Sequence, residues 1–371
     1  MKFPSSRLVV ELVLLLTVLV ESGAFTPIPS TVIDIHQNSR PLSYYSSSNR
    51  NCNHRNPSPP IGLRGGDLST SINSRATTTA LSCHPMMKTA VSSLVSTLTT
   101  TSPLGILSLS AIASAVLIPL TMIRQGYVFS VGYGYSVFAM ALFIAQSFGI
   151  SLNLLTPAGG VTTNVASLLC AAVVFYGVRL GTHLVVREWT VPAKHKQMKD
   201  LDKSPRLKRL PFAVSVSLFY AFLTSPLLYA ARAYTATNLV PVTVVTKVGV
   251  GLTWAGALME ALADTQKFIV KRNAPEDKFV GPTGGIYKLC RHPNYFAEVL
   301  FWFGLSVSGV PFFGRQYGAY IYSVLGFFGI YSIMTNATKR LDAKQLDKYG
   351  GQDKYDEYVK KVKASLWPGT S

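Results

Sequence analysis

Arg291-His292-Pro293-Asn294-Tyr295-Phe296-Ala297-Glu298-Val299-Leu300-Phe301-Trp302 puts a cluster of polar and charged side chains on the threshold of an apolar run that continues to Phe313. Polar groups at the mouth of a membrane-length segment need a reason, and a ligand site is the usual one. Elsewhere in this 371-residue chain, apolar residues are gathered into runs of about 20, the length that crosses a bilayer as a helix. With 48% hydrophobic and only 14% charged residues, the chain reads as an all-α polytopic membrane protein. The expected spans are 104–123, 127–150, 161–185, 210–230, 239–263, 295–313 and 317–335, six to seven helices in a membrane domain covering 102–371.

The formal net charge of +18 could point to nucleic acid, but the cations sit in loops between apolar spans rather than along one soluble face. Between the third and fourth spans lie Arg187, Lys194, Lys196, Lys199, Lys203, Arg206, Lys208 and Arg209; between the fifth and sixth lie Lys267, Lys271, Arg272, Lys278, Lys288 and Arg291. The intervening turns are nearly neutral, so the basic loops and the basic C-terminal tail share one side of the membrane. An anionic ligand and an integral membrane setting are expected, with no nucleic acid. The cysteines at 52, 83, 170 and 290 have neither pairing nor CxxC spacing, so no disulfide framework and no metal site is expected, and Cys170 reads as a packing residue.

The N-terminus reads as an address. Lys2 and Arg7 precede the apolar run 8–20, which ends at Ser22-Gly23-Ala24, a small-residue cleavage site: residues 1–24 are expected to be a signal peptide. Residues 25–88 are rich in Ser, Thr, Asn and Pro, basic and poor in acids, the composition of a transit peptide. Gly23-Ala24-Phe25-Thr26-Pro27 resembles the Ala-Phe-x-Pro junction of two-part plastid leaders. A plastid membrane is therefore expected; a plain signal peptide with a lumenal tail would place the protein in the endoplasmic reticulum instead.

Within the membrane domain, Arg179 and His183 share a helix face, so Arg179 either meets an anionic partner or snorkels to the basic side. Glu260, Asp264 and Lys267 share a face at the end of the fifth span. In the opening stretch, Pro293 suits the first position of a helix, which sets Arg291 and His292 just before a positive helix end, where a phosphate is stabilised. Asn294, Tyr295 and Glu298 follow on the first turn as a polar floor suited to a nucleotide. Gly281-Pro282-Thr283-Gly284-Gly285 is a turn that lets backbone approach a ligand.

These residues carry a resemblance. Glu260-Ala261-Leu262-Ala263-Asp264-Thr265-Gln266-Lys267, then Gly284-Gly285-Ile286-Tyr287, then Arg291 to Trp302 closely resemble the steroid 5-alpha-reductase-like membrane family. The closest branch carries Glu-x-x-Ala-Asp-x-Gln-Lys followed by Ser-Arg-His-Pro-Asn-Tyr-Phe-Gly-Glu. Cys290, Ala297 and Tyr287 depart mildly from that pattern. The resemblance implies a helical membrane enzyme that binds NADPH and reduces an activated carbon–carbon double bond in a sterol, polyprenyl or other lipid. It implies a cofactor pocket lined by Asp264, Lys267, Arg291, Asn294, Tyr295 and Glu298, with His292 beside them. Tyr295 and Glu298 are the expected catalytic pair, a positioned acid and its hydrogen-bonding partner.

Steroid 5-alpha-reductases polarise a substrate ketone with an early-helix Glu, and no acid lies between Asp67 and Glu188 here. Gln146, Tyr176 and His183 are left for that role. Arg-His-Pro-x-Tyr also occurs in isoprenylcysteine carboxyl methyltransferases, which bind S-adenosylmethionine, but their tandem Glu pair is absent from 339–349. A membrane lipid-binding protein without turnover is a third reading.

Overall fold

The computed structural model describes residues 104–154, 164–202, 204–237, 243–272, 274–275 and 277–369. The leader readings at 1–24 and 25–88, Cys52 and Cys83 lie outside the described residues, as do the expected starts of the third and fifth spans. Nine α-helices and no β-strand occur among the described residues. They are α1 (Ile106–Ile123), α2 (Val131–Ser147), α3 (Val165–Thr190), α4 (Pro192–Asp200), α5 (Leu210–Thr237), α6 (Val244–Lys271), α7 (Pro293–Gly309), α8 (Tyr317–Tyr349) and α9 (Asp353–Lys361). The protein is an all-α polytopic membrane protein, and each of the seven expected spans has its helix.

Five of these helices, α1, α3, α5, α7 and α8, are long and apolar enough to cross a membrane. The other two long elements differ for physical reasons. A 3₁₀ turn at Gln125–Phe129 consumes the start of the second expected span, leaving α2 with 17 residues. Helix α6 carries Glu260, Asp264 and Lys267 on its inner side, so it is a bundle helix whose polar groups face protein. Helix α8 runs on past the expected end at Thr335 to Tyr349, because Asp342 on its polar extension is tied to the loop before α7. The short helices α4 and α9, expected only as basic loop and tail, flank the same side.

Helix α7 is packed between α6, α5 and α8, and its contact with α6 is the most extensive in the bundle. Small residues make that contact possible: a Cβ on Gly256 would stand 2.5 Å from the Phe301 backbone nitrogen, and one on Gly304 would stand 2.4 Å from that of Thr253. Helices without a hydrophobic drive between them associate in lipid through such backbone approach. The core gathers at mid-bundle around Trp302, Tyr176, Phe301, Leu109, Leu169 and Leu227, and Cys170 is fully buried within it, as expected of a packing residue.

Candidate functional site

Pro293 is the first residue of α7, and the unbonded nitrogen it brings costs nothing there. His292 caps the helix through its backbone carbonyl, which accepts from Tyr295 N at 3.1 Å and Phe296 N at 3.1 Å. The two blocks of the motif are joined by side chains: Gln266 Nε2 donates to the Gly284 carbonyl at 2.7 Å, and the Tyr287 hydroxyl donates to the Ala263 carbonyl at 3.2 Å. Gly285 permits this with a φ of 59°.

Arg291 and His292 turn to Asp342 on α8. Arg291 Nη2 donates to Asp342 Oδ2 at 2.7 Å, and Nε donates to Oδ1 at 3.3 Å. Arg291 Nη1 donates to the Val362 and Lys363 carbonyls at 3.0 and 2.6 Å. His292 Nε2 lies 2.7 Å from Asp342 Oδ1, and the Ser365 hydroxyl donates to Asp342 Oδ2 at 2.5 Å. Burial pushes the His292 pKa down, so the ring is neutral and its Nε2 proton serves that contact. Backbone bonds from Arg291 N to the Ala364 carbonyl and from His292 N to that of Ser365 complete a clamp that fastens the C-terminal segment across the start of α7. A phosphate on Arg291 would have to share this guanidinium with the clamp.

Below the clamp, α7 turns a polar layer toward the bundle centre. Glu298 Oε1 accepts from the Tyr133 hydroxyl of α2 at 2.9 Å. That hydroxyl in turn accepts from Trp302 Nε1 at 2.7 Å and lies 3.1 Å from the Tyr176 hydroxyl of α3. Tyr176 stacks on Phe301 with centroids 4.1 Å apart. Beside this layer, Arg179 of α3 reaches α6: Nη1 donates to Asp264 Oδ2 at 2.8 Å, and Nη2 stands 3.1 Å from Glu260 Oε1. Arg179 therefore meets anionic partners and does not snorkel. Three carboxylates, Glu260, Asp264 and Glu298, share the bundle centre with this one guanidinium, all of them buried. Arg179 Nε, Glu260 Oε2 and Asn294 Oδ1 are buried without a hydrogen-bond partner. Such atoms are costly unless a ligand completes them.

Above the layer, on the basic side, seven cations converge from four helices: Arg187 of α3, Lys194 of α4, Lys267 and Lys271 of α6, and Arg340, Lys344 and Lys348 of α8. Lys194 lies in the field of Arg187, Lys271 and Lys344; Lys267 in that of Lys271, Arg187 and Lys194; Lys271 in that of Lys348; and Tyr295 in that of Arg187 and Arg340. None of the seven forms a salt bridge with a carboxylate among the described residues. Burial, reinforced by those like charges, pushes Lys194 down to about 8. Asp264 offsets part of this charge at Lys267 and Asp342 is held in the clamp, so the mouth keeps a net positive field that an anion would relieve.

The predicted site residues thus divide. Asp264 and Glu298 lie in the central layer, Lys267 in the cationic mouth, and Asn294 between α7 and the bundle with an unpartnered amide oxygen. Tyr295 stacks its ring on His292, centroids 5.8 Å apart. Arg291 and His292 belong to the clamp. Of the candidates for substrate polarisation, Tyr176 joins the layer and His183 meets the edge of the Phe268 ring at 5.8 Å. Gln146 lies thirteen residues along α2 from Tyr133, roughly 20 Å away. Sequence reasoning passed over Tyr133, Trp302 as a donor, and the mouth residues Arg187, Lys194, Lys344 and Lys348. The basic loops were legible as orientation signals, but nothing local distinguishes a loop lysine that converges on others from one that faces water.

No curated protein and no solved structure matches the chain. One family model does, over residues 140–362, more than half of the chain and the whole of the layer's α3, α6 and α7 contributions. The protein belongs to the DUF1295 family, described as proteins of unknown function.

Proposed function

We propose that this protein is a membrane-embedded reductase that uses NADPH to saturate a carbon–carbon double bond in a sterol, polyprenyl or other lipid. The observation that carries the reading is a cationic mouth, without carboxylate salt bridges among the described residues, set over a buried layer of carboxylates and aromatic rings. A polyphosphate with a flat ring at its far end matches both halves. When bound, NADPH supplies a hydride and leaves its nicotinamide ring cationic. Arg187, Lys194, Lys267 and Lys271 hold phosphates at the mouth; Glu260 and Asp264 stabilise positive charge as it develops below. Glu298, hydrogen-bonded to Tyr133, is the group that delivers a proton to the lipid. The resemblance of 260–302 to the steroid 5-alpha-reductase-like family supports the same chemistry, and the leader composition supports a plastid membrane as its site.

S-adenosylmethionine fits this site less well. It carries no phosphate for the mouth, and its positive charge is lost during methyl transfer, so an acidic centre would favour the ground state over the transition state. A lipid carrier would have no use for buried carboxylates in excess of their countercharges.

The test is thermal stabilisation of the purified protein by NADPH, NADH and S-adenosylmethionine in parallel. NADPH is expected to raise the melting temperature most, NADH less, and S-adenosylmethionine not at all. Stabilisation by S-adenosylmethionine alone would sink the reductase reading. Lipid profiling of cells lacking the protein then names the substrate through the unsaturated precursor that accumulates.

A further inference from the structure

The face of α7 opposite Glu298 borders a second feature. Phe296, Leu300 and Phe303 of α7, Phe327 and Tyr331 of α8, and Trp367 of the C-terminal segment line an apolar groove of about 520 Å³. That volume falls in the range of specific ligand sites. Phe303 is 42% exposed and Trp367 41%, so the groove opens outward rather than into the bundle. Its deep end is marked by Phe303 against Phe327, centroids 5.5 Å apart, and its basic-side end by Trp367, which meets both Phe296 at 5.8 Å and Tyr331 at 6.1 Å.

Beyond that aromatic end the character changes in order. Thr335 follows Tyr331 by one turn on the same face of α8, and its hydroxyl is buried without a hydrogen-bond partner. Lys339 follows Thr335 by another turn, exposed and without a carboxylate within salt-bridge distance. On the other wall, Lys363 lies four residues before Trp367, exposed between buried Val362 and Ala364. The Lys363 carbonyl accepts from Arg291 just before α7, and Lys339 lies two turns beyond Tyr331, so both lysines lie past the aromatic end of the groove on its basic side.

We propose that this groove holds an acyl chain of an anionic phospholipid from the surrounding leaflet, with Lys339 and Lys363 on its phosphate. The order of apolar wall, aromatic belt and exposed cations follows the order of acyl chain, interface and phosphate along such a lipid. The clamp formed by Asp342 holds the Lys363 to Trp367 wall in place, so a bound lipid also braces the C-terminal segment. The site is separate from the cofactor mouth and does not depend on the reductase reading.

The experiment is native mass spectrometry of full-length protein released from vesicles of mixed phosphatidylcholine and phosphatidylglycerol, with melting in detergent alone as the folding control. The wild type is expected to retain phosphatidylglycerol in preference to phosphatidylcholine. Lys339→Glu with Lys363→Glu is expected to lose that preference, by about fivefold for each lysine. Leu300→Trp, which fills the groove, should lose both lipids while still melting as a folded protein in detergent. Equal retention of the two lipids by the wild type would overturn the proposal. So would undiminished preference in the double charge variant that still folds.

Discussion

Two arginines on the same side of the bundle have opposite fates. Arg291 has its guanidinium spent on Asp342 and on two carbonyls of the C-terminal segment, and Asp342 in turn is met by His292 and Ser365. Arg187 stands among six other cations with no salt bridge. Both came from basic loops whose charge suits the positive-inside rule equally well. A polar network with every member satisfied fixes a structure, while one left open by its own protein is shaped for something that arrives later. The clamp is thus read as architecture, and the mouth as a binding site.

Breaking the clamp should have the largest effect. Asp342→Ala leaves the Arg291 guanidinium largely buried and without its carboxylate, a loss of about 3 kcal/mol. It should appear as a lower melting temperature with and without NADPH, and proteolysis should begin in the C-terminal segment. If Asp342→Ala melts like the wild type and only cofactor binding suffers, Arg291 belongs to the site after all. Next comes the central layer. Glu298→Gln keeps a partner for Tyr133 but removes the acid, so NADPH should bind nearly as before while turnover falls about 100-fold or more. Turnover can be followed as NADPH consumption in proteoliposomes made from a total lipid extract.

Removing mouth charges should separate the two regions most cleanly. Lys194→Ala and Lys267→Ala should each weaken NADPH about tenfold in a binding titration. At the same time they relieve like-charge repulsion, so the free protein should melt unchanged or up to about 2 °C higher. Removing one charged side chain would then destabilise the clamp and not the mouth.

The smallest effect is a pH dependence. Lys194 is held at about 8 in the free protein by burial and by its cationic neighbours, and a bound phosphate raises it again. Binding above that pH therefore takes up a proton, and affinity falls as pH rises through 8. The NADPH dissociation constant should increase several-fold from about pH 7 to about pH 9. Lys194→Arg, which stays charged, should flatten that slope while keeping affinity.

Much of the fold was legible in the chain because its signals are local. Run length announced the spans, Pro293 announced where α7 begins, and loop charge announced the sides. Where local reading fell short, an interaction from elsewhere had intervened. Helix α8 outran its apolar stretch because Asp342, fifty-one residues from Arg291, needed to reach it. Helix α6 carries acids in an otherwise apolar run because they answer Arg179 on α3. The site divided in the same way: the polar cluster could be read directly, whereas Tyr133, the hydrogen-bond partner of Glu298 from 165 residues away, could not.

The sequence by itself determined that this is a helical membrane protein with a polar site at the basic end of one span, since hydrophobic length and charge act residue by residue along the chain. Only the tertiary structure decided which of those charges are spent and which are left open. Pairing depends on which helices meet, and the small residues that bring α6 against α7 set that meeting through backbone contact rather than through any polar signal.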